Sequence, residues 1–508
     1  VEGNFVSTIC RACNIRITES REELVVFIHN GAKYDIKLFL GDIQILPNEK
    51  VYMLVREGDT VISFKVGNIK FVDSINFLSG SLASLGDALV QGNTDTNSVK
   101  FPKTKELLKY KGYSQNTINE SEGKGTFPYE YMTSINKFQD PLPNIEKFHS
   151  SLSGPCDPKE YEKVVQLWEK SGFTTLRELH DIYLYRDVGT LMDVFQDFRT
   201  AGMTNWGIDP ANYLTGPSYF WDAALKQSGV TLEHISEPSL YENIERSIKG
   251  GITTCNVRHV VANNLDIPTT YDDNKQNSHI FYFDINAMYG HIMENKMLPV
   301  GGHKLLEEGE ELEKLKQMIK LGAVPEQQDT GYLIEADIFI PEKNKLQTDC
   351  LPLCLVKAVD ILGSQYTRDL TKELKASIKG EKLLATHLPL EKELYLLDYL
   401  QYLVRSHGVE VTQIYRVWSF KQKCFLKTYV QENIERRKTE KTQSRKNLRK
   451  WAVNIIFGKS IQNQRKRRTR TYLCNNGVKL RRHTRSPYFR RTISLGDSEN
   501  IIAEEYLR

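Results

Sequence analysis

The chain has 508 residues, a length that accommodates about three or four domains. Hydrophobic residues make up 40% of it and charged residues 26%, and its net charge is +4. No apolar stretch approaches the ~18 residues of a membrane span, so the sequence itself argues against a membrane protein. The chain begins at Val1 without Met, and no signal-peptide pattern follows. We therefore expect a soluble intracellular protein whose numbering begins inside a longer gene product.

Eight cysteines are scattered along the chain, which favours a reducing compartment over a disulfide scaffold. Two pairs, Cys10 with Cys13 and Cys350 with Cys354, have the spacing of metal ligands. Neither pair has a convincing second half-site, and we interpret both as free thiols. Whether Cys10 and Cys13 form the edge of a zinc site is left open by the sequence.

The N-terminal part predicts a series of strands. Residues 22–28 read as a buried strand, followed by a helix start at 36–40, and further strands are predicted at 51–55, 60–66 and 69–73. An amphipathic segment begins at Ser81, and residues 91–125 are loop-like in composition. Asp35 therefore lies just past a predicted strand.

Residues 159–199 are predicted to be mostly helical, and residues 201–250 to be turn-rich and then helical. Tyr183 and Asp187 are four residues apart, which places them on one helix face beside an apolar stripe. Such a pair is consistent with a surface hydrogen bond, and equally with a metal-bound carboxylate and a phenol that holds a water molecule. The glycines at 250 and 251 permit close approach of another backbone, or form a plain turn.

The apolar run from His279 to Gly290 predicts a buried strand that ends at Asp284. A carboxylate buried there without a partner is costly, so it usually holds a metal ion or a charge. A capping role at a strand-to-helix turn is the alternative. Between 301 and 420, charged helices at 307–321, 366–384 and 389–405 are predicted to flank a strand at 331–341.

The last part of the chain is strongly basic. Residues 436–491 contain 20 Lys and Arg against Glu440 alone, so this region carries +19 and the remainder −15. Such asymmetry is typical of nucleic-acid binding, and the interleaved aromatic residues argue against a disordered tail. A helix is predicted from Leu426 to about Phe457. Steps of four, four and three residues place four side chains on one face of this helix, namely Lys446, Lys450, Asn454 and Phe457.

These motifs, taken in order, resemble the protein-primed branch of family B DNA polymerases, which occurs in phages, adenoviruses, linear plasmids and Polinton-type elements. The resemblance runs from about Val25 to about Arg470. His29-Asn30 with Tyr34-Asp35 resembles the second exonuclease motif, and Tyr183-x3-Asp187 the third. The remaining exonuclease-side matches are Ser81-Leu82 with the single-strand-binding motif, Lys124 with the Lys-x-x-hydrophobic motif, and Ile248-x-Gly250-Gly251 with the link to the polymerase module.

Two further segments resemble polymerase motifs. Asp284-x3-Met288-Tyr289-Gly290 is similar to motif A, with Gly in place of the usual Pro. Lys450-x3-Asn454 through Phe457-Gly458 is similar to motif B, in which Ile455 replaces Ser and Phe457 replaces Tyr. The interval 301–420 has the position of an insertion that contacts the terminal protein and DNA in this branch.

The resemblance implies an α/β multidomain fold: an RNase H-like 3′–5′ exonuclease domain, then a right-hand palm with a large insertion and helical fingers. The implied boundaries are 1–200 for the exonuclease, 201–300 for the link and palm with motif A, 301–420 for the insertion, 421–464 for the fingers, and 465–508 for the returning palm.

The resemblance also implies two-metal phosphoryl transfer with Mg²⁺, or alternatively Mn²⁺. Its implied metal ligands are Asp284 in the polymerase and Asp35 and Asp187 in the exonuclease. Tyr183 would orient the attacking water and Lys124 would support that site. Incoming dNTPs would meet Tyr289, Lys450, Asn454 and Phe457, and DNA would meet His29, Asn30, Tyr34, Ser81, Leu82, Gly250 and Gly251. The implied partners are primer–template DNA, dNTPs and a terminal protein, with no membrane.

Two motifs expected from the resemblance do not occur in the sequence. No Asp-x-Glu pair precedes Asn30, and no aromatic-Asp-Thr-Asp follows Phe457. We therefore expect a fragment that is inactive by itself in both reactions. A catalytically inactive DNA-binding remnant is the alternative. A standalone exonuclease and a pure binding module explain motifs A and B less well.

Overall fold

The computed structural model describes residues 8–9, 16–17, 24–32, 35–36, 51–55, 61–92, 99–151, 154–253, 259–325, 329–349, 351, 353–358, 364–375, 382–462, 469–474, 477–494 and 501–506. Its strands are, in chain order, β1 Thr8–Ile9, β2 Arg16–Ile17, β3 Leu24–Ile28, β4 Val51–Val55, β5 Val61–Val66, β6 Ile69–Asp73, β7 Leu298–Leu305, β8 Thr330–Phe339, β9 Leu355–Ala358, β10 Lys382–Ala385, β11 Leu390–Leu396, β12 Glu410–Lys423, β13 Thr469–Cys474, β14 Phe489–Ser494 and β15 Ile501–Tyr506.

The α-helices are, in chain order, α1 Leu82–Val90, α2 Pro102–Tyr110, α3 Gln115–Asn119, α4 Pro158–Ser171, α5 Leu176–Trp206, α6 Gly216–Ser228, α7 Pro238–Ser247, α8 Met288–Asn295, α9 Glu310–Lys320, α10 Glu342–Thr348, α11 Gln365–Glu373, α12 Leu397–His407, α13 Lys427–Thr439, α14 Gln443–Ser460 and α15 Gly477–Thr484. Within the described part of the chain, no helix has the length and apolar character that a membrane crossing requires.

The chain divides into two compact units. Unit 1 comprises Val1–Gln227 and Gln431–Arg508, and unit 2 comprises Ser228–Val430. Each unit combines a sheet with helices. The expectation of a mixed α/β fold is therefore confirmed.

A seven-stranded sheet in unit 1 has the order β14-β15-β13-β4-β5-β6-β3. Strands β3 and β6 run parallel, with Ile28 opposite Asp73, and the other pairs are antiparallel. The strands predicted at 22–28, 51–55, 60–66 and 69–73 are β3 to β6, because alternating apolar residues between turns carry a strong strand signal. Gly67, at φ +58°, makes the turn between β5 and β6.

The prediction of loop structure over 91–125 is wrong in part, because this segment contains α2 and α3. Pro102 starts α2, as Pro does at the first turn of many helices. The first backbone N–H groups of α2 donate to the Asp193 carboxylate of α5, at 2.7 Å from Lys103 N and 2.9 Å from Thr104 N. This cap comes from a residue about 90 positions away, so local composition could not indicate it.

Unit 2 contains an antiparallel four-stranded sheet of order β11-β8-β12-β7. Its core joins the sheet to α9 and α12 through side chains such as Ile319, Ile334 and Leu400, all fully buried. Two helix predictions here are wrong in part: residues 390–396 form β11 before α12 begins, and α11 ends at Glu373, with β10 from Lys382. Both stretches are rich in Lys, Glu and Leu, which favour helices. They form strands because β10 pairs with β9 and β11 pairs with β8, and this pairing overrides the helix propensity.

The run from His279 to Gly290 does not form the predicted buried strand. Residues 279–285 have no regular structure, and the side chains of Phe281, Tyr282 and Phe283 are 72%, 95% and 85% exposed. None of the described strands pairs with this run. A strand needs a neighbouring backbone for its hydrogen bonds, so an apolar pattern alone does not form one.

The single helix predicted from Leu426 to Phe457 is two helices, α13 and α14, separated by Glu440–Thr442. The Thr442 hydroxyl caps α14 by accepting from Arg445 N at 3.3 Å. Behind this cap, Arg449 reaches back to Glu440, with 3.0 Å between Nε and Oε1. The break is therefore a capped helix start.

Candidate functional site

Helix α5 carries three carboxylates that face other elements of unit 1. Asp193 accepts two backbone N–H groups and the Thr104 hydroxyl, at 2.7 to 2.9 Å. Asp197 accepts from Ser444 and Arg445 at 2.8 and 2.9 Å. Asp187 differs, since its buried Oδ1 has no hydrogen-bond partner among the described residues. A buried carboxylate oxygen without a partner is costly, which marks Asp187 as a candidate functional group.

The surroundings of Asp187 shift the pKa of its carboxyl in opposing directions. Burial raises the pKa of the Asp187 carboxyl above its ordinary value. A hydrogen bond from the Tyr183 hydroxyl opposes this rise, and so do the positive charges of Lys124 and Arg186. The structure therefore brings together three residues that the sequence analysis had predicted for one site, namely Lys124, Tyr183 and Asp187.

Tyr129 is a member of this site that the sequence analysis missed. Its ring meets that of Tyr183 edge to face, with the two centroids 5.6 Å apart. Phe127 packs against both rings, at 5.4 and 5.6 Å. Burial raises the pKa of Tyr183 far above its ordinary value, so its hydroxyl stays protonated as a donor. The available signal was an aromatic residue five positions after Lys124.

The loop that carries Lys124 is attached to α5 by Arg186. Its guanidinium donates to the carbonyl oxygens of Glu122 and Gly123, at 2.9 and 3.3 Å. A Cβ on Gly125 would lie 3.0 Å from Cδ2 of Tyr183, so the loop packs against the tyrosine ring without space for a larger residue. Lys124 itself is exposed.

The loop after β3 is fixed by a buried carboxylate. Asp73, fully buried at the end of β6, accepts from Asn30 N at 2.8 Å and Ala32 N at 2.9 Å. Asn30 has φ +59°, and a Cβ on Gly31 would lie 2.3 Å from Ile28 Cγ2, so the turn requires glycine there. Asp35 follows this turn and is exposed.

The predicted DNA contacts near this loop have structural partners of their own. His29 contacts Ser74 Oγ through Nδ1 and the Gly80 carbonyl oxygen through Nε2, both at 3.0 Å. The Ser81 hydroxyl caps α1 by accepting from Ser84 N at 3.1 Å, and Leu82 begins that helix half-buried. Tyr34, like Cys10, Cys13 and Cys350, lies outside the described residues, whereas Cys354 is a buried free thiol.

The predicted metal sites are only partly assembled by the described residues. No group of three His, Cys, Asp or Glu side chains in the described ranges is arranged to hold a metal ion. The Asp187 carboxylate nevertheless fits a metal ligand, because its buried Oδ1 is unsatisfied and oxygen is the donor that Mg²⁺ prefers.

The polymerase-side residues of unit 2 are exposed. Asp284 lies in the irregular run before α8, and Tyr289, in the first turn of that helix, is 45% exposed. Ala287, at the N-terminus of α8, has φ +52°, a left-handed conformation that costs energy for a residue with a Cβ. Gly250 and Gly251 are open, with no atom within 4 Å of an added Cβ, so no described backbone approaches them.

Helix α14 presents the predicted nucleotide-binding face. Lys450 and Asn454 are exposed, whereas Lys446 and Phe457 are half-buried. The opposite face is buried, with Leu448, Ala452 and Ile456 in the core of unit 1. The predicted alignment of the four residues on one helix is therefore observed.

Arginines hold α14 against α5. Arg445 pairs with Asp197, with Nη2 and Oδ1 2.6 Å apart. Arg449 is buried and donates to Asn205 at 2.8 Å, and its guanidinium lies 5.7 Å from the centre of the Trp206 ring. These contacts fix which side of α14 faces outward.

The sequence profile of the family described as "DNA polymerase type B, organellar and viral" matches residues 16–471. The chain belongs to this family. A search of the curated proteins finds no match.

Among solved structures, the chain is similar to phi29 DNA polymerase in three states. The orthorhombic crystal form shares 14% identity with a TM-score of 0.42, over 89% of this chain and 62% of that one. The complex with primer-template DNA and incoming nucleotides shares 13%, with a TM-score of 0.44 and coverage of 89% and 62%. The complex with single-stranded DNA shares 12%, with a TM-score of 0.42 and coverage of 95% and 64%. The chain thus spans about six tenths of the length of these polymerases.

Proposed function

We propose that this chain contains the exonuclease and nucleotide-binding parts of a DNA-directed DNA polymerase with 3′–5′ proofreading. The observation that carries this proposal is the family match over residues 16–471. Two local arrangements support it: the unsatisfied Asp187 carboxylate beside Tyr183, and the exposed Lys450 and Asn454 of α14.

In the exonuclease reaction, Asp35 and Asp187 would hold Mg²⁺, or alternatively Mn²⁺. The bound ion would supply a nucleophile at neutral pH by lowering the pKa of water. Tyr183 would orient that water through its hydroxyl, and the packed rings of Phe127 and Tyr129 would hold the phenol in place. Lys124 would offset negative charge that develops at the scissile phosphate. His29, Asn30, Tyr34, Ser81 and Leu82 are proposed to position the single strand.

In DNA synthesis, Asp284 would be a metal ligand and Lys450 would contact the phosphates of the incoming dNTP. Tyr289, Asn454 and Phe457 are proposed to contact its sugar and base, and Gly250 and Gly251 to let the template backbone approach. The opening around these glycines suits such an approach.

Protein-primed initiation is a further part of the proposal. Residues 301–420, which include most of the unit 2 sheet, are proposed to contact a terminal protein and DNA, as the similar insertion does in the protein-primed branch. The proposed domains are those expected from the sequence: exonuclease 1–200, link and palm 201–300, insertion 301–420, fingers 421–464 and returning palm 465–508.

An inactive DNA-binding remnant of such a polymerase is the second candidate. Both candidates predict that residues 1–508 bind primer–template DNA without incorporating nucleotides, since one polymerase carboxylate cannot hold two metal ions alone. Only the polymerase proposal requires that the DNA complex also bind a complementary dNTP.

The test is the affinity of the purified chain, bound to primer–template, for a complementary dNTP with Mg²⁺. Lys450→Ala should weaken it about tenfold or more, because it removes a charge-assisted hydrogen bond. Lys441→Ala, in the turn before α14, removes the same charge and should leave the affinity unchanged. Equal affinities for wild type and Lys450→Ala would contradict the proposed nucleotide site, and incorporation abolished by Asp284→Ala would overturn the expected inactivity.

A further inference from the structure

The contacts of the arginines and lysines divide the basic region 436–491 into two kinds of side chain. Those on α13 and α14 include several that are paired with carboxylates and contribute to the packing of the protein. These pairs are Arg436 with Glu432, Lys438 with Glu435, Arg445 with Asp197, and Arg449 with Glu440. A cation in such a pair already contacts a carboxylate, and in the partly buried pairs of Arg445 and Arg449 the guanidinium also holds α14 in place.

The arginines of α15 and the residue after it are different. Arg481, Arg482 and Arg485 are all exposed. Among the described side chains, no carboxylate lies within 4 Å of their guanidinium groups, and Arg481 donates to the Gly477 carbonyl oxygen of its own helix at 3.1 Å. Arg481 and Arg485 are one helical turn apart, so their side chains project from the same side.

Helix α15 packs against strands β13 and β15. The His483 ring stacks on Tyr472 of β13 with centroids 4.1 Å apart and an angle of 19°. Its Nδ1 lies 3.0 Å from Oε1 of Glu505 on β15. Cys474 and Ala503 are buried on the same pair of strands. The arginines therefore extend from an ordered helix, which lowers the entropy lost when they bind a ligand.

We propose that Arg481, Arg482 and Arg485 form a phosphate-contacting surface for the DNA backbone. It adds to the residues already proposed for the exonuclease and nucleotide sites. Guanidinium groups bind phosphate oxygens with charge-assisted, often bidentate hydrogen bonds, and such contacts hold a nucleic acid in register without reading its sequence. The inference rests on the proposed function only in taking the polyanion to be DNA.

The experiment measures the affinity of the chain for a fluorescent primer–template at several salt concentrations, with wild type and the triple variant R481Q/R482Q/R485Q. Each lost phosphate contact should reduce the slope of log K against log[salt] by about 0.9, so the triple variant should lose about 2.7. At moderate salt its affinity should fall about tenfold or more, equally for unrelated sequences.

Two controls make the result specific. K159Q/K163Q/K170Q removes three cations from α4 of the same unit, where Lys163 and Lys170 are paired with Glu160 and Glu120, and should leave the slope unchanged. R481K/R482K/R485K keeps the charge and should retain most of the slope, while circular dichroism checks that each variant is folded.

An unchanged slope in R481Q/R482Q/R485Q, with normal DNA binding by wild type, would overturn this inference and leave the proposed polymerase function standing. An equal loss in the α4 variant would also overturn it, because net charge alone would then explain the effect. No DNA binding by wild type would contradict both proposals.

Discussion

Asp187 and Asp284 are both proposed metal ligands, and their settings are opposites. Asp187 lies on a 31-residue helix that is attached to the rest of unit 1 by Asp193 and Asp197. Its neighbour Tyr183 is buried and fixed by Tyr129 and Phe127. Asp284 lies in an irregular, exposed run of unit 2 that no described strand pairs with.

The difference shows how each site depends on its secondary structure. A helix satisfies the backbone groups of its own interior, so α5 needs only side-chain contacts to place the Asp187 carboxylate. A strand obtains its hydrogen bonds from a neighbour, and an apolar run without one stays exposed whatever its side chains. Substitutions around Asp187 should therefore change stability in proportion to their contacts, whereas those around Asp284 should change it little.

The largest expected change in the free energy of unfolding is that caused by Asp73→Ala. The substitution leaves three backbone N–H groups, those of Asn30, Ala32 and Ile75, without their acceptor in a buried turn. We expect a loss of about 4 kcal/mol in the free energy of unfolding, measured by urea titration. Asp181→Ala, which removes a half-buried carboxylate paired with Arg177 and His180 on α5, should cost less than about 1 kcal/mol. Similar losses for the two variants would show that the turn before Asp35 is not built on Asp73.

The next effect concerns the attachment of α14. In a double-mutant cycle with Asp197→Ala and Arg445→Ala, we expect a coupling energy of about 1.5 kcal/mol, because the pair is partly buried and hydrogen-bonded. The exposed pair of Lys163 and Glu160 is the matched control, with an expected coupling below about 0.5 kcal/mol. A coupling as small as that of the control would mean that α14 is not held through Arg445.

The sequence predicted the local features of this fold better than the long-range ones. Strands β3 to β6 follow from alternation and turns, and the alignment of Lys450 with Asn454 follows from helical spacing. The cap of α2 by Asp193 and the pairing of β11 with β8 depend on residues far apart in the chain, so no local pattern indicates them. The run around Asp284 fails for the same reason, since its apolar pattern does not specify a partner strand.

In the candidate site, too, the sequence predicted local relations between residues better than long-range ones. The spacing of Tyr183 and Asp187 placed them together, and the family resemblance added Lys124. Tyr129 was missed because its contact with Tyr183 depends on the fold of the intervening chain. The structural role of His29 was missed because its partners, Ser74 and Gly80, lie 45 and 51 residues further along the chain. The cap by Ser81 is an exception to this rule, since its partner Ser84 is only three residues away.

For Asp187→Asn we expect a smaller change in the free energy of unfolding, and a gain in place of a loss. Burial raises the pKa of this carboxyl, and its Oδ1 has no partner, so a neutral amide of the same shape should relieve part of the burial cost. We expect a gain of about 1 kcal/mol in the free energy of unfolding without Mg²⁺. Asp193→Asn, on the same helix, should instead lose about 2 kcal/mol because its oxygens are satisfied. A clear loss for Asp187→Asn would show that Asp187 is a structural residue.

The smallest effect is expected in the run before Asp284. Tyr282 is 95% exposed, so Tyr282→Ser removes almost no buried surface and should change the free energy of unfolding by less than about 0.5 kcal/mol. The same substitution should lower the tendency of the chain to aggregate, measured by light scattering, because exposed unpaired apolar segments associate with one another. Tyr219→Ser, at a fully buried tyrosine of α6, is the control and should cost about 3 kcal/mol or more. A loss above about 1 kcal/mol for Tyr282→Ser would mean that the run is packed in solution, and Asp284 would then have a fixed setting comparable to that of Asp187.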